Sequence, residues 1–494
     1  MRCNVAALVI GRRRLWLALL LALACGGDDP GGPAPVPRGI QIVSGADITD
    51  SAGTILYAPL IVAVRDAAGV LPPLATLVRF EAVGPCGGGA EGQLTCTNPG
   101  GLVATGQTDN EGRAGTFVRL GIRPGPGSIA ISVPSLGLRD TARYVVTLGG
   151  AARMLLTPDD TAITIGGFYT LRGETRDRFD NKRSDAFTWS IVGSGATVST
   201  AGVVTGAAVG RYRVLVHAGG LTDTAMVSAV PPGTLAAFDW LQGEVVTLSL
   251  DGSNRQVRAN AIDTGIGVRP RWLPGSDHIV YSTYNGVTQE LRVVDAAGVS
   301  VPFIKSLPPT MGTHGDAAPA LVGSWVYFAA YDSRCGFEGY CLFRASVDGS
   351  LVEFLGDVAN PTNASLRPSS SPDGRHVAFT TVYDIEPVIR ILDTQSRTLL
   401  PLTIHGIFPQ WSRTGNTIAY IEGTAGLALV NANGSGARRL VDGQDNHTEG
   451  SFSWSPDEQW IVRYTELGFE LIAVSTGTVL RLPHLDALRD PSWK

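Results

Sequence analysis

Three of the seven histidines, His314, His405 and His447, stand in the C-terminal half, each a few residues before an apolar stretch that opens at Pro319, Pro409 or Phe452. Neutral imidazoles suit a divalent transition metal, and Asp316, Asp445 or Asn363 would complete such a shell. The competing reading is three solvated loop histidines that never meet. Nearer to equivalent stretches stand Arg269, Arg367, Phe408 and Asp490. A cation, an anion and a ring make a rim that binds a ligand and needs no cofactor. Asp251, Asp295 and Asp348 suggest paired carboxylates for glycoside cleavage, but each falls where a hairpin turn favours Asp for backbone reasons. The chain lacks a Gly-x-Ser-x-Gly elbow in a strand-to-helix context, a phosphate-binding Gly loop and a His-Glu-x-x-His helix. Cys86 with Cys96 and Cys335 with Cys341 form two close pairs, which predict disulfides in an oxidising compartment. Zinc would need the two-residue spacing that neither pair has.

The element that must carry the histidines and the rim is a repeat. Five times a Pro or Phe opens a strand, a turn follows, and an apolar strand runs on: Pro270 to Tyr281, Pro319 to Phe328, Pro368 to Phe379, Pro409 to Tyr420 and Phe452 to Val462. A sixth opening, Pro491-Ser-Trp493, has almost nothing after it, whereas Leu235–Phe238 and Glu244–Leu250 read as strands without an opening. A ring that completes its last blade with strands from its far end is a β-propeller. Second hairpins follow at Leu248–Gly252, Val293–Gly298, Ala345–Gly349, Ile391–Asp393, Leu429–Gly434 and Ala473–Gly477, so six blades of four strands are expected over 234–494. With the openings aligned, the position four or five residues upstream holds Gly265, His314, Asn363, His405, His447 and Asp486, placing the histidines at one level of the ring.

Ser371-Pro-Asp-Gly-Arg375 and Ser455-Pro-Asp-Glu458 resemble the turn of the TolB-like propeller repeat, with Ser412–Gly415 and Leu273–Ser276 as drifted copies. The resemblance covers over half the chain and implies a six-bladed propeller. It lacks the α/β domain that precedes the propeller in that family. The oligogalacturonate lyases have a similar propeller, and that resemblance implies a histidine-held metal assisting β-elimination on an acidic sugar.

Upstream of the propeller the chain divides further. Arg12, Arg13 and Arg14 precede an apolar run from Leu15 to Ala24, too short to span a bilayer, so 1–24 reads as a signal peptide. Ala22-Leu-Ala-Cys25 resembles the bacterial lipobox, which implies lipidation at Cys25 and, with Gly26 and Gly27 following, the outer membrane. Residues 25–38 read as a flexible Gly/Pro tether. Residues 39–148 carry short alternating strands with turns at Asp66–Gly69 and Asp109–Gly112, the pattern of a β-sandwich. Part of this segment resembles the Ig-like repeats of invasin-type adhesins. Residues 150–230, with Phe187-Thr-Trp-Ser190, Ala196–Gly206 and Gly210–Val216, are similar to the second group of bacterial Ig-like domains, which implies that Trp189 packs the core.

Composition agrees with an all-β chain: 494 residues with 61 Gly and 30 Pro, only 17% charged, and a formal net charge of -5. No basic stripe is present, which argues against a nucleic-acid surface. The expectation is a monomeric envelope lipoprotein that touches the membrane only through its lipid. Two Ig-like modules would carry the propeller, which binds an envelope protein or glycan. Two other functions compete: a metal-assisted polysaccharide lyase or hydrolase using His314, His405 and His447, and a surface adhesin acting through the Ig-like modules.

Overall fold

The computed structural model describes residues 38–83, 93–95, 103–263, 267–335, 340–356, 367–383, 386–423, 426–442, 451–465 and 468–494. Cys25, the signal peptide, Cys86, Cys96 and His447 lie outside them. The described residues are strands, turns and two short 3-10 helices, so the protein is all-β. Among them no helix is long and apolar enough to cross a membrane. The chain forms two compact units, Met1–Gly149 and Gly150–Lys494.

In the first unit, one sheet runs in the order Gly39–Ser44, Leu60–Arg65, Arg113–Arg119, Gln93–Thr95. A second runs Ile48–Ser51, Leu138–Thr147, Gly125–Val133, Leu77–Val83, Val103–Gln107. Strict alternation sets their faces: Leu60, Val62 and Val64 are buried on one strand, Val78 and Phe80 on another, Ile129 and Ile131 on a third.

The second unit begins with a smaller β module. Asp160–Thr164, Leu221–Val230, Gly210–Ala218 and Thr188–Val192 form its largest sheet, whose core gathers Val204, Val214, Val216 and Val227. Trp189 packs against that core. Gly202 turns the chain at φ 77° beneath the indole, where a Cβ would lie 3.0 Å from Trp189.

Six antiparallel sheets follow among the described residues. Blade 1 joins Thr234–Asp239, Glu244–Ser249 and Gln256–Asn260 to the C-terminal strand Leu488–Trp493, which pairs with Thr234–Asp239. Blades 2 to 6 run in chain order and open at Arg271–Trp272, Met311–Pro319, Ser369–Ser370, Ile407–Trp411 and Phe452–Trp454. Each neighbouring pair shares an apolar cluster. Phe238 of blade 1 meets Tyr281 of blade 2, Leu291 meets Phe328, Tyr327 meets Phe379, Ile391 meets Tyr420 and Leu429 meets Trp454. The ring comes back on itself where Phe469 and Leu471 of blade 6 pack with Leu235 and Trp493 of blade 1.

The Ser-Pro-Asp turns explain why the hairpins keep register. Ser371 Oγ donates to Asp373 at 2.6 Å and accepts from the His376 backbone N–H at 2.9 Å, and Ser455 does the same with Asp457 and Trp460. One hydroxyl thus ties the turn to the first residue of the next strand. Cys335 and Cys341 are joined by a disulfide across a hairpin of blade 3, with their Cα atoms 6.0 Å apart.

Candidate functional site

One residue of each blade, three positions before Trp493, Trp272, Pro319, Ser370, Trp411 or Trp454, faces the axis. In blade order these residues are Asp490, Arg269, Asp316, Arg367, Phe408 and Ser451, and all six line one central cavity of about 170 Å³. Five of them are bulky or charged residues held at positive φ: 52°, 44°, 56°, 37° and 57° for Asp490, Arg269, Asp316, Arg367 and Phe408. Such a backbone costs an L-residue about 1–3 kcal/mol, and four of the five also precede a proline. Hydroxyls of the preceding blade hold three of these positions. The N–H of Asp316 donates to Ser282 at 3.3 Å, that of Phe408 to Thr380 at 2.9 Å, and that of Asp490 to Ser451 at 3.1 Å.

Below the ring the inner strands are laced together. Trp272 donates its backbone N–H and its indole N–H to Ser492, Trp411 donates to Ser369 Oγ, and Trp493 donates to Ser453 Oγ. Arg413 of blade 5 donates to the Trp493 carbonyl of blade 1 at 2.6 Å and lines the same cavity.

Arg269 and Asp316 form an ion pair whose side chains are 7% and 6% exposed. Burial pulls Arg269 down to about 9; Arg367 pushes the same way and Asp490 opposes. Arg271, on the inner strand beside it, is also lowered by burial, with Asp490 opposing and Arg367 adding to the effect. Arg367 lies over the Phe408 ring, its guanidinium carbon 3.4 Å from the centroid. The cavity can therefore hold an anionic or planar polar group in a water-poor setting, and cation–π stacking has already fixed one guanidinium plane.

The four predicted rim residues, Arg269, Arg367, Phe408 and Asp490, thus come together. The two described histidines, His314 and His405, do not join them. His314 is 5% exposed, donates its Nδ1–H to the Gly312 carbonyl at 3.0 Å and packs against Phe328. It lies within the strand Met311–Pro319, opposite Ala330; the position that matches Pro270, Pro368 and Pro409, directly after the cavity residue, is Ala317 in blade 3 and not Pro319. The two-residue slip moves His314 off the level of His405. His405 sits on a short strand that pairs with Val388 of blade 4 and is exposed. Neither lines the cavity, and among the described residues no three His, Cys, Asp or Glu are grouped as metal ligands. Sequence reasoning passed over Ser451, Arg271 and Arg413 as site residues. Ser451 and Asp316 were recoverable from register alone, as the residues directly before Phe452 and Ala317. Arg413 sits in the Ser-Arg-Thr-Gly turn, where nothing local marks it as reaching the axis.

No protein-family model matches this chain. A protein of Chlorobium luteolum described as a TolB homolog is 26% identical over 183 residues, which are 36% of this chain. The propeller is TolB-like. This chain spans 38% of the length of that relative. TolB from Acinetobacter baumannii is 16% identical, with a TM-score of 0.44 over 62% of this chain and 82% of its own. An oligogalacturonate lyase solved with manganese is 10% identical, with a TM-score of 0.33 over 51% of this chain and 78% of its own. Both are likenesses of fold.

Proposed function

We propose that this protein is a non-enzymatic, extracytoplasmic binding protein whose TolB-like propeller receives an envelope protein or glycan at its central cavity. The observation that carries this reading is the meeting of Arg269, Arg367, Phe408 and Asp490, from four different blades, in one pocket. Four blades place strained, mutually stabilised side chains there, and such strain is characteristic of binding sites. The signal-like segment and the lipobox at Cys25 support anchorage to the outer membrane, with 39–148 and 150–230 as Ig-like modules carrying the propeller as a monomer. The formal net charge of -5 does not suit nucleic acid.

Site-specific photocrosslinking tests the reading. Leu321 lines the cavity and is 41% exposed. A benzophenone amino acid placed there, in cells secreting the Cys25→Ser chain, should capture a discrete envelope species. Adding Arg367→Ala and Phe408→Ala should abolish that species while leaving the thermal unfolding of the chain cooperative. A crosslink that survives the double substitution would remove the cavity as the binding site.

A further inference from the structure

The cavity holds more cation than anion. Arg269, Arg271, Arg367 and Arg413 line it against Asp316 and Asp490, in a chain that is acidic overall. Asp316 is engaged by Arg269. Arg367 disfavours the charged forms of both Arg269 and Arg271, so three guanidiniums are close enough to repel one another. Excess like charge in a water-poor pocket is relieved when a counter-charge enters.

The geometry narrows what that counter-charge is. Stacking on Phe408 fixes the plane of the Arg367 guanidinium, and a guanidinium hydrogen-bonds in its plane as a fork that matches a carboxylate. The cavity of about 170 Å³ is lined by Trp272, Trp411 and Trp454 besides its guanidiniums. That is room for one terminal group with an apolar body, less than the usual pocket for an extended ligand. A tetrahedral dianion fits worse, because Asp316 and Asp490 stand in the same ring and repel a second negative charge.

We propose that the propeller cavity is a receptor for a single carboxylate on a small apolar or aromatic body, gripped edge-on by Arg367 as Phe408 holds it flat. This rests on the reading of the cavity as the binding site and names its ligand class. The carboxylate belongs either to a free small acid or to the C-terminus of a peptide, which present the same chemistry.

Calorimetric titration of the untagged secreted chain with benzoate, benzamide, inorganic phosphate, N-acetylphenylalanine and its amide tests the proposal. Benzoate should bind, more weakly as salt rises, while benzamide and phosphate should not. Arg367→Lys keeps the charge and loses the fork, and should weaken benzoate about tenfold or more. Phe408→Leu keeps an apolar side chain and releases the plane, and should weaken it as well. Should Arg367→Lys fail to fold, Phe408→Leu decides the question alone. N-acetylphenylalanine binding without its amide identifies a peptide terminus as the source; benzoate binding without either identifies a free acid. Absence of benzoate binding, equal binding of benzamide or phosphate, or full affinity in the variants would overturn the proposal. If benzoate fails while the Leu321 crosslink still depends on Arg367 and Phe408, the carboxylate falls and the binding site stands.

Discussion

At the scale of single residues, the ring around the axis shows what a propeller tolerates to aim side chains inward. Phe408 adopts φ 57°, a conformation for which Gly has no steric penalty and Ala does. Its ring also packs against the cluster that blades 5 and 6 share. Phe408→Ala should therefore lose the packing yet keep the strain, destabilising the propeller by about 1–3 kcal/mol. Phe408→Gly should be the more stable of the two by about 1 kcal/mol, the reverse of the usual order, and urea unfolding of both variants measures it. A higher midpoint for the Ala variant would mean the positive φ is not imposed by the fold. His314 gives a second residue-level outcome. Burial lowers it from 6.5, against the opposing Gly312 carbonyl and Glu290. A histidine depressed in the folded state leaves the unfolded chain binding more protons near its ordinary value. Its contribution is then complete above about 6.5 and declines as the pH drops below it. The urea midpoint should fall between pH 7 and 5, and less steeply in His314→Phe; parallel slopes would contradict the assignment.

At the scale of elements, the blades were legible because each hairpin is coded locally. Ser371-Pro-Asp-Gly and Ser455-Pro-Asp carry their own hydrogen bonds, so turn and register can be read without knowing the neighbours. Blade 3 shows where that stops. The stretch that matches Arg269–Trp272 is Asp316-Ala-Ala-Pro319, and the proline that looks like an opening sits two positions late, where blades 1, 2, 5 and 6 have Trp and blade 4 has Ser370. Side-chain alternation survives a shift of two, so the strand pattern gave no warning. What fixes the true register is the bond from the Asp316 N–H to Ser282, a contact between blades that local sequence cannot display. The same limit applies to Arg413, whose partner Trp493 lies on another blade. The C-terminal strand Leu488–Trp493 is the most consequential element of this kind. It supplies the inner edge of blade 1, and Leu488 and Trp493 enter the cluster that joins blade 6 to blade 1. Deleting 488–494 should cost the propeller its cooperative unfolding in guanidinium, read by near-ultraviolet circular dichroism. An unchanged midpoint would show that the ring does not need this strand.

At the scale of the whole molecule, the 150–230 module and the propeller lie in one compact unit, Gly150–Lys494. The reason lies in a few contacts between residues distant in sequence. Val230, the last residue of the strand Leu221–Val230, is buried in the cluster of blades 6 and 1, and Val209 packs against it. Thr164 gives its backbone N–H and its hydroxyl to Asp251 at 3.2 and 3.1 Å. Burial alone would raise the Asp251 carboxyl, but two bonds from Ser253 together with the two from Thr164 hold it below its ordinary value. Asp251, which reads as a turn residue in the sequence, is thus also a clasp between the module and the ring. Calorimetry of the secreted chain should show two unfolding transitions, with 150–494 melting as one. Asp251→Ala should lower the second by the loss of its shared hydrogen bonds, about 1–3 kcal/mol, and leave the first in place. The same contacts bear on the adhesin reading, because a chain cut at Val230 exposes Val209 and Val230 to water. Such a fragment should be less stable than the same module in the whole chain, so any surface binding by it must be compared with the intact protein carrying Arg367→Ala and Phe408→Ala. Binding by the intact double variant equal to the unsubstituted chain would shift the function from the propeller to the modules, whereas its loss would hold the function at the ring.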